Sequence, residues 1–253
     1  MVPFFLCWGS FLNVLAYRLI KNQSIITPRS SCPHCHTLIA WYDNIPVISW
    51  LLLSGSCRTC AQPISWLYPF IESLTTIVLL LLYIYIPLHY FFAYFIFFSA
   101  LIVTIRSDIE TMLISRFATL FLVPLGFIFS AYGLLPLSLP ASIVGAFFGY
   151  FFLFIINKLF KHIRNYDGIG EGDFDLLLFI GSFTGIIGCW ISITLGSILG
   201  SLYGLCFIMY SYYHRKNNTC LFNAKIPFGQ FLALGAILFV FFQRHFFCYL
   251  TIG

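Results

Sequence analysis

Long apolar runs alternate with short polar segments along this chain. The apolar runs occupy residues 1–17, 67–87, 88–106, 114–133, 139–158, 174–187, 190–213 and 227–247. Most of them approach the roughly 20 residues that an α-helix needs to cross a bilayer, and such a helix satisfies its own backbone hydrogen bonds in lipid. The pattern therefore predicts an all-α polytopic membrane protein with about eight transmembrane helices.

One apolar stretch, from Leu176 to Tyr213, is too long for a single span. Gly185 and Gly188, followed by Cys189, permit a turn inside it. We therefore predict a break between two helices at this point.

Composition and charge agree with a membrane protein. Of the 253 residues, 60% are hydrophobic and only 8% are charged, more apolar surface than one soluble core of this size can bury. With the N-terminus outside, twelve of the thirteen lysines and arginines lie on the cytoplasmic side, as positively charged topology signals do, and only Arg244 does not. All eight acidic residues also fall on the cytoplasmic side. We expect a membrane protein that contacts lipid and binds no nucleic acid.

One long polar insert, residues 18–66, separates the first helix, 1–17, from a membrane body at 67–253. Within the insert, two Cys-x-x-Cys pairs are separated by twenty-one residues: Cys32, Cys35, Cys57 and Cys60. Two such turns bring four thiolates to the tetrahedral site that zinc favours, and a reducing cytoplasm keeps the thiolates available. The spacing predicts a small cytoplasmic zinc-ribbon-like domain.

The predicted Zn²⁺ would be structural, because four thiolates leave no open position for a substrate. Paired cysteines also exchange disulfides, so a membrane thiol-redox protein is an alternative. Five further cysteines lie in or beside apolar segments and are expected to be inert thiols: Cys7, Cys189, Cys206, Cys220 and Cys248.

Two aspartates are placed at the cytoplasmic ends of predicted helices. Asp108 ends the third span, and Asp173 opens the sixth after a glycine-rich approach. Ionisable groups at membrane level are costly and usually functional. Two carboxylates a few ångströms apart share one proton, so that the ionised member can activate water while the protonated member polarises a carbonyl.

Other interpretations of these acids also fit the residues. Asp173 precedes a span, where a carboxylate can cap a helix N-terminus. Acidic residues in helical bundles also carry protons, which leaves a proton-coupled membrane carrier as an alternative. Spacing alone does not exclude three neighbouring acids: Glu110, Glu171 and Asp175.

Four segments of the chain resemble the type IV prepilin peptidase family, whose members are also called leader peptidase and N-methyltransferase. They are GSFLNVLAYRL from residue 9, the cysteine-containing segment 32–72, the G-x-G-D motif at 170–173, and IPFGQFLALGA from residue 226. The resemblance implies a membrane aspartic endopeptidase with Asp108 and Asp173 as its catalytic pair. Gly170 and Gly172 are candidate substrate-binding positions, because glycines without side chains let a substrate or a partner helix come close to Asp173.

The family's activity then sets the expected substrates. It implies cleavage after the glycine that ends a short basic leader, in type IV prepilins or in pseudopilins of type II secretion or competence. The cleavage would take place at the cytoplasmic face of the bacterial inner membrane, with the enzyme's N-terminus in the periplasm. In many members, N-methylation of the new N-terminal residue by S-adenosylmethionine follows. The family associates the cysteine insert with methylation, and Gly55 matches a position linked to it. An ordinary turn glycine is the alternative interpretation of Gly55, and no glycine-rich cofactor loop is visible in the chain.

The chain departs from the family pattern at several positions. Ser115 and Arg116 stand where Pro-Asp is common, and Asp175 stands where a lysine usually follows the second aspartate. His36 replaces a glycine after the first cysteine pair, and Gln230 replaces a proline.

Overall fold

The computed structural model describes residues 1–21, 23–24, 29–32, 34–165, 168–214 and 227–250, without the side chains of 211–212, 214 and 244–250. Several residues used in the topology prediction or in the prediction of inert thiols lie outside the described part: Asp167, Arg215, Lys216, Cys220 and Lys225, with the side chains of Arg244 and Cys248.

The described residues form eight α-helices and no β-strand, which confirms the all-α class. The helices are α1 Val2–Ile20, α2 Ile48–Leu52, α3 Leu67–Tyr85, α4 Leu88–Thr111, α5 Val123–Ala131, α6 Leu139–Arg164, α7 Glu171–His214 and α8 Gly229–Leu250. Short 3₁₀ turns at Trp41–Asn44 and Leu120–Leu122 complete the helical structure.

Five of these helices, α1, α3, α4, α6 and α7, are long and apolar enough to cross a membrane. Two shorter apolar helical segments, Leu120–Ala131 and Gly229–Gln243, accompany them. The polytopic membrane class is thereby confirmed, and the number of eight spans stays a prediction.

Helix α7 extends over 44 residues, about twice the length that one span requires. Its backbone leaves the helical conformation at Gly185, where φ is 70° and ψ is −170°. Glycine enters this region of φ without steric cost, which explains why the interruption falls there. The two halves of α7 therefore meet at the predicted break.

The chain divides into two compact units, the first of which is Met1–Arg106. In this unit α1 packs on α3, and a Cβ atom at Gly9 would lie 2.9 Å from the Cα atom of Glu72. Arg106 is 1% exposed, and its Nε donates to Asn13 Oδ1 at 3.0 Å. Its guanidinium also lies over the Tyr68 ring at 5.2 Å. A buried cation is thus satisfied by a neutral amide and an aromatic face.

A buried carboxylate attaches the insert to α3. The Val47 N–H donates to Glu72 Oε2 at 2.8 Å. Val47 directly precedes α2 and has a φ of 61°, which is unusual for a β-branched residue. The hydrogen bond that Glu72 accepts helps to hold this strained backbone in place.

In the second unit, Ser107–Gly253, helices α6, α7 and α8 approach closely at glycines. A Cβ atom at Gly149 would lie 2.5 Å from the Leu177 carbonyl oxygen, and one at Gly235 would lie 2.7 Å from the Ser192 carbonyl oxygen. Small residues at such crossings let helix backbones pack directly against one another in lipid. This packing sets the positions of the N-terminal ends of α7 and α8.

Candidate active site

The two predicted aspartates lie at facing helix ends of the second unit. Asp108 is in the last turn and a half of α4 and is 4% exposed. Asp173 is in the first turn of α7 and is 9% exposed. Buried carboxylates on two separate helices are costly unless neighbouring groups stabilise them.

A third element, the N-terminus of α8, brings the two carboxylates together. A Cβ atom at Gly229 would lie 3.2 Å from Asp108 Oδ2 and 3.2 Å from Asp173 Oδ1. The two oxygens reach the same point, so they are separated by no more than twice that distance. Two carboxylates that reach a common point can act together on one water molecule or one carbonyl group.

The first amides of α8 also hold one member of the pair. The Gln230 N–H donates to Asp108 Oδ2 at 2.8 Å. The N–H groups of a first helical turn have no partner within their helix, and they favour a negative charge. A proline at position 230, as in the family pattern, would have no N–H to donate.

The glycines of the G-x-G-D motif make room for close packing at the pair. The Asp173 N–H donates to the Gly170 carbonyl oxygen at 3.1 Å. A Cβ atom at Gly172 would lie 2.9 Å from Ile114 Cβ, and one at Gly229 would lie 2.6 Å from Ile114 Cδ1. The Ile114 side chain therefore fills the space that both glycines leave.

An asparagine on α6 fixes the segment that leads into the motif. Asn157 Oδ1 accepts the N–H groups of Gly168 and Ile169 at 3.0 and 3.1 Å. Two hydrogen bonds from one side chain set the direction in which the chain enters α7.

The other nearby acids have different surroundings. Glu110 and Glu171 are exposed, whereas Asp175 is 8% exposed. Asp175 Oδ2 lies 3.3 Å from Arg116 Nε, and Arg116 also donates to Glu171 at 3.2 Å. Arg116 and Asp175 are two of the departures from the family pattern. The structure places them in contact. Relative to the family pattern, which has an aspartate at 116 and a lysine at 175, the acidic and the basic residue have exchanged positions.

The four predicted metal ligands converge in the first unit. The sulfurs of Cys32, Cys35, Cys57 and Cys60 all lie within 4.8 Å of one another, and all four thiols are free. The Cys32 and Cys60 sulfurs are 3.8 Å apart. A tetrahedron with Zn–S bonds of about 2.3 Å has edges of about 3.8 Å, so this donor set fits a four-thiolate zinc ion.

Each cysteine pair lies on the same kind of tight turn. The His36 N–H donates to the Cys32 carbonyl oxygen, and the Ala61 N–H donates to the Cys57 carbonyl oxygen, both at 2.9 Å. His36 and Ala61 adopt φ values of 57° and 55°. This left-handed conformation accounts for the glycine that the family pattern has at position 36.

The protonation of the thiols differs within the cluster. Hydrogen bonds from the Thr37 hydroxyl and N–H lower the pKa of Cys35 to about 6. A hydrogen bond from the Gln62 N–H also lowers the pKa of Cys60. Burial and the neighbouring thiols outweigh it and raise the pKa of Cys60 to about 11. Thiolate is the form that binds metal, so binding would release the protons that remain.

Gly55 has a conformational role in the insert. Its φ is 67°, and a Cβ atom there would lie 2.8 Å from Trp50 Cζ2. The Gly55 N–H donates to the Trp50 carbonyl oxygen at 2.8 Å, and Trp50 Nε1 donates to the Ile64 carbonyl oxygen at 3.1 Å. The turn requires glycine on these grounds, which agrees with the turn interpretation. A role in methylation stays a prediction.

Comparison with known proteins places this arrangement in a family. Residues 4–86 match the Bacterial Peptidase A24 N-terminal domain, and residues 95–205 match the Type IV leader peptidase family. A prepilin leader peptidase/N-methyltransferase of Pectobacterium carotovorum subsp. carotovorum is 33% identical over 251 residues, which cover 90% of this chain and 87% of the relative. The chain belongs to the type IV leader peptidase family.

Two further relatives with the same name extend the likeness over most of the chain. The protein of Burkholderia pseudomallei strain K96243 is 34% identical over 272 residues, covering 97% of this chain and 84% of the relative. The protein of Aeromonas hydrophila is 31% identical over 256 residues, covering 91% of this chain and 86% of the relative. No solved structure matches the chain. With its five long apolar helices, this leader peptidase is a multi-pass inner-membrane enzyme.

The cysteine cluster and the aspartate pair fall in different family matches. The first match contains the four cysteines, and the second contains Asp108 and Asp173. Gly229 and Gln230 lie beyond both matches, and sequence reasoning did not assign them to the site. A signal was present, because the segment IPFGQ places a glycine at the start of an apolar helix. Ile114 had no comparable signal, since an isoleucine after a span is ordinary.

Proposed function

We propose that this enzyme cleaves the leader peptide of type IV prepilins or pseudopilins with Asp108 and Asp173 as an aspartyl pair. The observation that carries the proposal is the convergence of both carboxylates on Gly229. The names of the relatives supply the substrate class, because each is called a prepilin leader peptidase/N-methyltransferase.

Peptide hydrolysis by the pair needs one shared proton. The ionised carboxylate takes a proton from water, and the resulting hydroxide adds to the scissile carbonyl carbon. The protonated carboxyl gives its proton to the carbonyl oxygen. Collapse of the tetrahedral intermediate breaks the C–N bond. As it collapses, one of its hydroxyl groups returns a proton to the second carboxylate, and the proton held by the first carboxylate passes to the leaving amine nitrogen. The pair then holds one proton again, so that the cycle closes.

Topology supports a cytoplasmic location for the site. The distribution of lysine and arginine favours a periplasmic N-terminus, which places the end of α4 and the start of α7 on the cytoplasmic side. A prepilin with a basic leader and a hydrophobic stem would present its scissile bond at that membrane surface. We propose that the chain has three parts: a first helix, 1–17, a cysteine insert, 18–66, and a membrane body, 67–253.

We further propose that Cys32, Cys35, Cys57 and Cys60 hold a structural Zn²⁺. The convergence of their sulfurs supports this role. N-methylation with S-adenosylmethionine is proposed from the names of the relatives alone, and no residue is assigned to the cofactor. Trp50 occupies the space into which a side chain at position 55 would project, so Gly55 leaves no open space for a cofactor on that side.

The test uses membranes that contain the enzyme, a prepilin-like substrate and S-adenosylmethionine with a labelled methyl group. Asp108→Asn and Asp173→Asn should each lower cleavage roughly a thousandfold, the usual contribution of a positioned acid or base. Glu110→Gln, at an exposed acid two residues from Asp108, is the matched control and should cleave normally. Full cleavage by either aspartate variant would refute the pair. Label on the new N-terminus tests methylation separately.

A further inference from the structure

The buried carboxylate of Asp175 lies two residues from Asp173 and has no part in the proposed reaction. Its side chain is only 11% exposed, so water solvates it poorly. A buried negative charge two residues from Asp173 on the same helix would oppose ionisation of the pair unless it is compensated. What compensates Asp175 therefore matters to the pair.

The compensating cation comes from a different segment of the chain. Arg116 follows α4, and its Nε lies 3.3 Å from Asp175 Oδ2. The same guanidinium donates to Glu171 Oε2 at 3.2 Å. One arginine thus links the segment after Asp108 to the first turn of α7, which carries Asp173.

The two contacts of Arg116 differ in importance. Glu171 has an exposed side chain, 83%, and its ion pair is screened by water, so it contributes little. Asp175 is buried, and removing the partner of a buried charge is strongly unfavourable. The contact with Asp175 is therefore the one with consequences for the site.

We propose that Arg116 is a positioning residue that compensates the charge of Asp175 and thereby sets the pH range in which the aspartate pair works. The proposal rests on the proposed function of Asp108 and Asp173. Arg116 does not contact the reacting atoms, and it acts through Asp175. Its ion pair also fixes the segment that places Ile114 between Gly172 and Gly229.

Few other ionisable groups face this carboxylate among the described residues. Arg116 comes from the segment after α4, and Glu171 comes from the same helix as Asp175. From α6, Tyr150 packs against Phe174. The residues that α8 brings to the pair, Gly229 and Gln230, carry no charge.

The experiment measures the pH dependence of leader cleavage in membranes. Arg116→Gln leaves Asp175 uncompensated, so the pH optimum should move upward by about one unit, because the added negative charge makes the pair hold its proton more tightly. Asp175→Asn leaves the cation in excess and should move the optimum downward. The double variant Arg116→Gln/Asp175→Asn removes both charges and should return the optimum to the wild-type value.

Two further variants separate this role from folding. Arg116→Asp alone should lower cleavage roughly tenfold. The exchanged pair Arg116→Asp/Asp175→Arg should recover most of that loss. Glu171→Gln is the matched control and should leave the optimum in place. A purely structural role would lower the rate of each single variant without moving its optimum, and that result would overturn the proposal. If the wild-type enzyme itself did not cleave the leader, the proposed function would be refuted instead.

Discussion

The cysteine insert and the aspartate site show two ways of building a polar centre. The insert assembles its four sulfurs from two short, equivalent turns, each closed by backbone hydrogen bonds between residues four apart. The aspartate site draws on residues 108, 173 and 229, which are held together by helix packing. Local turn chemistry is visible in sequence spacing, whereas long-range convergence is not. The two centres should therefore fail in different ways when they are altered.

The largest expected effect is on metal binding by the insert. Cys57→Ser removes one of four converging thiolates and should reduce bound zinc from about one ion per chain to nearly none. Metal analysis of the purified enzyme, with limited proteolysis of the insert, measures this change. Asp108→Asn is the matched control, and it should retain its zinc. Normal zinc content in the cysteine variant, or a reversible disulfide in a zinc-free wild type, would contradict the structural-metal proposal.

An intermediate effect is expected at the helix that joins the two carboxylates. Gly229→Ala places a Cβ atom 3.2 Å from an oxygen of each aspartate and 2.6 Å from Ile114 Cδ1. The pair must shift by a few tenths of an ångström, and cleavage should fall about 10- to 100-fold because catalysis depends on such positions. Steady-state cleavage kinetics measure the loss.

Two variants show whether the carboxylates are responsible for that loss. Gly200→Ala is the control, since its Cβ atom would meet Phe231 at an ordinary 3.4 Å. Adding Ile114→Val to Gly229→Ala relieves only the contact with the isoleucine. Complete recovery in that double variant would mean that the packing of Ile114, and not the aspartate pair, limits the reaction.

The smallest effect is expected from the hydrogen bond that α8 donates to Asp108. Gln230→Pro removes the N–H that lies 2.8 Å from Asp108 Oδ2, and proline is well tolerated in a first helical turn. Cleavage should change only a few-fold, with the pH optimum displaced because the ionised form of Asp108 loses a donor. Gln230→Ala keeps the N–H and is the matched control. If the pH optimum moved equally in both variants, the loss of the glutamine side chain, and not the loss of the N–H, would be the cause.

Much of this protein could be predicted from its sequence by itself. The apolar runs predicted an all-α membrane protein because a helix in lipid must be long, apolar and internally hydrogen-bonded. The two cysteine pairs indicated a four-thiolate cluster because each pair is a local turn. The glycine at position 185 marked the interruption of a helix too long for one span.

Other features were decided only by the tertiary structure. The start of α8 joins Asp108 to Asp173, although no spacing relates residue 229 to either of them. Arg116 and Asp175 were separate departures from a family pattern until the structure placed them 3.3 Å apart. The physical reason is common to both cases. Such contacts depend on how closely segments far apart in the chain pack against one another, and a sequence pattern that describes one helix at a time does not contain that distance.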